Sequence, residues 1–136
     1  MKYTAWGDSV EKLSPDGTMS AKVSVNGEVC QGGPTIGLFE LSNGMKIESC
    51  NPSFVWSDCS NFVAVPQWRK KFLATVERIL VIDVVERTAI ASTKTFDVVE
   101  LKKFSGHLIS GLDSPLRNSK EFTLDLNDPS DKFETL

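Results

Sequence analysis

The chain has 136 residues, 40% of them hydrophobic and 24% charged, with a net charge of −3. That is the size and composition of one globular domain, able to bury about two-thirds of its unfolded surface without a disulfide or a metal. The acidic balance argues against sequence-independent binding to nucleic acid or to an anionic membrane, since both require a basic surface.

Met1 to Asp8 place a glycine and an acid where a secretory leader needs an apolar stretch. The longest apolar run, Ile79 to Val85, is broken by Asp83 and is too short to span a bilayer. Cys30, Cys50 and Cys59 are odd in number and fit no disulfide-scaffold spacing, which predicts free thiols in a reducing compartment. A soluble, cytoplasmic protein without cofactor is the expectation.

Short β-rich runs separated by Gly, Asn, Asp and Pro recur along the chain, and helical periodicity is scarce. The first predicted hairpin runs from Met19 to Val25, turns at Asn26-Gly27 in the manner of a type I′ turn, and returns through Glu28 to Gln31. A second pairs Thr35 to Leu41 with Met45 to Ser49 across Ser42-Asn43-Gly44. A third pairs Phe62 to Val65 with Arg78 to Val85, and Thr88 to Ser92 follows the Glu86-Arg87 turn. Strands are also expected over Phe96 to Phe104, His107 to Gly111 and Glu121 to Leu126.

Between Pro66 and Glu77 lies the basic, aromatic run Gln67-Trp68-Arg69-Lys70-Lys71-Phe72, longer than a tight turn requires and therefore read as a long loop, with one helical turn admitted from Leu73 to Arg78. Its bland reading has Trp68 and Phe72 folded back on the sheet edge with the bases in water.

Leu13-Ser14-Pro15-Asp16-Gly17-Thr18-Met19-Ser20-Ala21 precedes Trp56-Ser57-Asp58-Cys59-Ser60-Asn61-Phe62-Val63-Ala64 by 43 positions, with Ser and Ala repeated and apolar residues aligned. At the same offset Leu38-Phe39-Glu40-Leu41 matches Val81-Ile82-Asp83-Val84. A period near 40 built of short strands resembles propeller blades, and two blades cannot close a ring. The prediction is one all-β domain over 1–136, with blade-like units over 13–50 and 56–92, C-terminal strands over 96–126 and an acidic tail over 127–136. Two antiparallel sheets would pack as a β-sandwich or a partly open barrel. Val23, Phe39, Ile47, Val55, Trp56, Phe62, Val65, Val81 and Ile90 are expected on the inner faces.

Catalytic signatures are sparse. His107 stands alone, with no nucleophile elbow near a serine or cysteine. Cys30, Cys50, Cys59 and His107 lack the paired spacing of a zinc site. Gly32-Gly33-Pro34-Thr35-Ile36-Gly37 is a turn rather than a phosphate loop, because Pro34 has no N–H to offer. Asp16 and Asp58 belong to blade-type turns, where a carboxylate accepts backbone N–H groups.

The run Cys50-Asn51-Pro52-Ser53-Phe54-Val55-Trp56-Ser57-Asp58-Cys59-Ser60-Asn61-Phe62-Val63-Ala64-Val65-Pro66-Gln67-Trp68, preceded by Gly32-Gly33-Pro34 and Leu41-Ser42-Asn43-Gly44 and followed by Leu80-Val81-Ile82-Asp83, resembles small bacterial β-proteins. These include immunity proteins of contact-dependent growth inhibition and related toxin systems. The likeness covers 13–92 well and the remainder loosely. It implies a non-enzymatic inhibitor that covers a cognate toxin, such as a basic nuclease domain. For that role Trp68 is the expected apolar anchor, and Asp125, Asp128, Asp131 and Glu134, in a terminal segment free to reach a neighbour, are the expected steering acids. The alternative is a small-ligand protein or enzyme with a pocket near His107.

Overall fold

A computed structural model describes residues 3–136 and shows an all-β protein. After a one-turn 3-10 helix at Thr4–Trp6, the strands are β1 (Val10–Leu13), β2 (Ser20–Glu28), β3 (Thr35–Leu41), β4 (Lys46–Cys50), β5 (Val55–Trp56) and β6 (Phe62–Lys71). They continue as β7 (Ala74–Asp83), β8 (Thr88–Ser92), β9 (Val99–Ser105), β10 (Leu108–Asp113), β11 (Lys120–Asp125) and β12 (Phe133–Thr135). No helix among the described residues is long and apolar enough to cross a membrane. The strands form two antiparallel sheets: β1-β2-β3-β4-β6-β7-β8-β12, with β5 on β6, and β11-β10-β9.

The larger sheet folds back on itself. β4 and β6 meet at a single residue pair, Cys50↔Gln67. Alternation along the β6–β7 ladder turns the Pro66 nitrogen toward this seam, where the missing N–H breaks no β6–β7 bond. The Pro66 carbonyl accepts the Asn51 N–H there at 2.9 Å. Beyond the seam the two halves pack face to face, so Val23, Phe39 and Leu41 share a core with Val63, Val65, Leu80 and Ile82. Phe54, fully buried, sets its ring edge-on to Phe39 with centroids 5.5 Å apart.

The middle layer is apolar on both faces. Ala64, Ile79 and Val81, which alternate with the residues just named, form a second core with Phe96, Val99, Phe104, Ile109 and Leu124 of the C-terminal third. The expected inner-face residues therefore divide. Val23, Phe39 and Val65 lie in the first core with Ile47 and Trp56 packed against it, while Val81 lies in the second with Val55, Phe62 and Ile90 against it. Trp56 is half-buried and donates its indole N–H to the Lys12 carbonyl at 3.0 Å.

The repeat extends further than the residue identities indicate. Shifting β2, β3 and β4 by 43 positions gives 63–71, 78–84 and 89–93, close to β6, β7 and β8; a second shift gives 106–114, 121–127 and 132–136, close to β10, β11 and β12. The third unit departs at its last strand, because β12 pairs with β8 instead of β11.

Two predicted turns are corrected. Asn26 and Gly27 lie inside β2, at a bulge where pairing passes from Val25↔Gly37 to Gly27↔Ile36. A Cβ on Gly37 would collide there with the Ser24 carbonyl, so the strands approach closely where glycine permits it. The chain reverses instead at Cys30 to Gly33, with Gly32 at φ 73° and the Gly33 N–H on the Cys30 carbonyl at 2.8 Å. The second correction concerns 66–77, which is two paired strands joined at Phe72 and Leu73 rather than a long loop or helical turn. Cys50 is buried and Cys30 and Cys59 are exposed, all three as free thiols.

A polar seam joins the second and third layers. Glu77, fully buried, accepts the Val99 N–H at 2.6 Å and the Asn51 side-chain amide at 3.2 Å. Asn51 also donates to the Val99 carbonyl at 2.7 Å and accepts the Ser53 N–H at 2.7 Å. Nearby, Glu100 accepts the N–H groups of Thr4 and Ala5 at 3.0 and 2.7 Å, which fastens the N-terminal 3-10 turn to β9.

Desolvation pushes the Glu77 carboxyl well above its usual range, against the pull of the Val99 and Asn51 donors and with the help of Asp113 and Glu100. The folded state then holds a proton that the unfolded chain releases near pH 4.3. Above that pH the folded form binds more protons, so stability falls as pH rises toward the folded pKa, by at most about 1.4 kcal/mol per pH unit. Urea unfolding between pH 5 and 9 is expected to show this decline. Glu77→Gln, a neutral mimic of the protonated acid, should flatten it, and an unchanged slope would show that Glu77 is ionised in the core.

Candidate partner-binding site

β6 and β7 pair without interruption from Phe62↔Asp83 to Lys71↔Ala74, leaving only Phe72 and Leu73 as the turn. β8 pairs with β7 only as far as Leu80, so the hairpin runs on beyond its neighbour. Every residue in 69–75 is exposed. Phe72 and Leu73 are 96% and 106% exposed, the two most exposed large apolar side chains among the described residues. Arg69, Lys70 and Lys71 lead directly into them.

The turn chemistry is unusual. Two-residue hairpin loops favour Gly, Asn or Asp where φ is positive, because an L side chain there costs about 1–2 kcal/mol. Phe72 holds that position at φ 55°. The tip thus combines backbone strain with fully exposed apolar area, two costs that an Asn-Gly turn would avoid. In a chain whose other large apolar residues mostly sit in two cores, this makes the hairpin tip the candidate contact surface.

Trp68, the anchor expected from the sequence, sits at the root of this hairpin in β6, not in a loop, and is 7% exposed. Its ring lines a cavity of about 260 Å³ with Val29, Ile36 and Thr75. It is buried as the bland reading has it, but Phe72 points to solvent. Alternation across β6 and β7 was the signal for this: Trp68 follows Ala64 and Pro66 on one face, and the ten-residue strands match in length.

The expected steering acids are knitted into the C-terminal fold instead of being free. Asp125 accepts the Asn127 N–H at 2.9 Å and holds His107 Nδ1 at 2.6 Å. Asp128 accepts the Ser130 N–H and hydroxyl, both at 2.9 Å, which holds its carboxyl below the usual range. Asp131 accepts the Asp125 N–H at 2.9 Å. Glu134 lies in β12, opposite Ala91 of β8, with its carboxylate 3.7 Å from Arg78. Phe133 beside it packs on the second core, and the Leu136 N–H reaches the Ala89 carbonyl at 3.1 Å. The tail is a docked strand.

Arg78 is the cation most firmly placed. Its Nε and Nη2 both donate to Gln67 Oε1, at 3.0 and 2.9 Å, and Gln67 Nε2 donates to the Glu48 carbonyl at 3.1 Å. Burial and the like charge of Arg69 pull its pKa down, and Glu134 opposes them.

Among the described residues no hydrogen bond joins His107 to a serine or a cysteine, and no three His, Cys, Asp or Glu side chains are grouped to hold a metal ion. Asp16 serves its own turn, whereas Asp58 reaches across to the β9–β10 turn. Asp16 accepts from Ser14 and Thr18, which lowers its pKa to about 2, and Asp58 accepts from Gly106 and Ser105. No family model, curated protein or solved structure matches this chain.

Proposed function

We propose that this chain is a non-enzymatic, cytoplasmic protein-binding inhibitor of the immunity type, which neutralises a cognate toxin by covering its working cleft. The observation that carries the reading is the β6–β7 hairpin, whose tip presents Phe72 and Leu73 to solvent at a strained turn behind three consecutive bases. A two-stranded finger already ordered by cross-strand pairing has less entropy to lose on docking than a loop, and exposed aromatic residues ringed by polar groups are what interface hot spots are made of. The polar seam and twin cores supply the scaffold that carries the finger. The hairpin, not Trp68 or the acidic strand, is the element assigned to the partner.

The test uses the product of the gene adjacent to this one, purified and titrated calorimetrically with the full chain. A 1:1 complex with submicromolar Kd, and stoichiometric loss of the neighbour's toxicity on co-expression, are expected. If the neighbouring product neither binds nor is neutralised, the reading falls.

A further inference from the structure

We infer that Arg78 and the bases around it form a receptor for a carboxylate of the binding partner, and that the protein's own Glu134 stands in for that carboxylate in the free state. The inference rests on the proposal that the β6–β7 hairpin meets a protein partner, and it names that partner's chemistry: an acid-lined cleft with an apolar hollow.

Arg78 is arranged in advance. Gln67 takes two of its guanidinium nitrogens and is itself tied to the Glu48 carbonyl. The plane of the group is thereby fixed, and its third nitrogen, Nη1, remains directed toward Glu134. The Arg78 side chain is only 12% exposed, so much of its water is already gone before any partner arrives. A fixed, poorly hydrated guanidinium suits a planar carboxylate better than a mobile ammonium does.

The present occupant fits loosely. Glu134 Oε1 is 3.7 Å from Nη1, beyond good hydrogen-bond length, and its side chain is 61% exposed. Around the pair lies a cavity of about 230 Å³, walled by Arg69, Lys70, Lys71, Arg78, Thr93 and Glu134. One weakly held carboxylate lies there among four basic residues. The same strands carry Phe72 and Leu73, so a cleft that receives the tip brings its wall to Arg78.

The full chain is titrated with an acetylated, amidated hexaglutamate peptide at low salt, and the Arg78 Nε–H and Thr93 amide resonances are followed by NMR. The parent protein should shift at these groups. Glu134→Gln should tighten binding about two- to fivefold, the range of an exposed ion pair. Arg78→Gln should weaken it at least tenfold and Arg78→Lys less, with thermal melts confirming that both stay folded. Glu121→Gln, on β11, removes one charge elsewhere and should leave affinity unchanged.

Equal effects of Glu134→Gln and Glu121→Gln would reduce the result to net charge and overturn the stand-in role. Unaltered binding by Arg78→Gln would overturn the receptor. So would inorganic phosphate or phosphatidylglycerol vesicles shifting Arg78 at lower concentration than the peptide, since the ligand would then be a phosphate or a lipid surface. If the peptide behaves as expected while the adjacent gene's product does not bind, the receptor stands and the inhibitor reading alone fails.

Discussion

Asn51→Ala is expected to lower the unfolding free energy by about 3–5 kcal/mol, as much as removing a large core side chain. The reason is the number of groups that depend on one amide. Asn51 is fully buried, donates to Glu77 and to the Val99 carbonyl, and accepts the Ser53 N–H. Alanine would leave the Ser53 N–H with no acceptor and Glu77 with the Val99 N–H as its remaining donor. Each buried polar group so stranded costs about 1–3 kcal/mol. For a domain of ordinary stability, about 5–15 kcal/mol, that is a large share, and the melting temperature should fall by roughly 10–20 °C. Losing a donor to the carboxylate would also raise the Glu77 pKa further and widen the pH range over which stability declines. Chemical denaturation of the variant at pH 5 and pH 8 reads both effects. A loss under about 1 kcal/mol would mean that the seam contributes little to holding the second and third layers together.

The seam explains a limit of sequence reading. Strand positions, the Asn43-Gly44 turn and the repeat of Leu13 to Ala21 in Trp56 to Ala64 were legible, because they follow from alternation and local turn chemistry. The second core was not. Val81 and Ile82 read as adjacent apolar residues of one strand, and only the finished fold sends them to opposite cores. Nothing in the sequence marks Glu77 and Asn51 as core residues, for the same reason: a buried carboxyl becomes tolerable only once Val99, from a strand 22 positions away, supplies its N–H.

Composition disguises the hairpin. Pro66 and the bases after it look like a loop, yet Pro66 sits where the β4–β6 seam is open, and Arg69 to Lys71 lie beyond the neighbouring strands, where charge costs nothing. Trp68 is the conspicuous aromatic of this run, yet its place in the alternation puts it against the body of the protein. The C-terminal acids suggest a free tail because sequence shows charge density but not the β12–β8 pairing that fastens the segment.

Phe72→Gly should separate fold from function. Glycine accepts the positive φ that phenylalanine holds under strain, worth about 1–2 kcal/mol, and gives back about 0.5–1 kcal/mol in unfolded-chain entropy. The variant should therefore be as stable as the parent or up to about 1.5 kcal/mol more so. Its affinity for the proposed toxin should nevertheless fall by about 2–4 kcal/mol, the range for loss of an aromatic hot spot, or roughly 30- to 1,000-fold. Most of that loss should appear as faster dissociation, because Arg69, Lys70 and Lys71 still steer the encounter. Trp68→Ala offers the contrast: at 7% exposure it should destabilise the fold and affect binding chiefly through the hairpin's position. Paired unfolding and surface-kinetics measurements distinguish these outcomes. A Phe72→Gly protein that bound its partner with parental kinetics would remove the tip from the interface and leave its strained, exposed phenylalanine without a role.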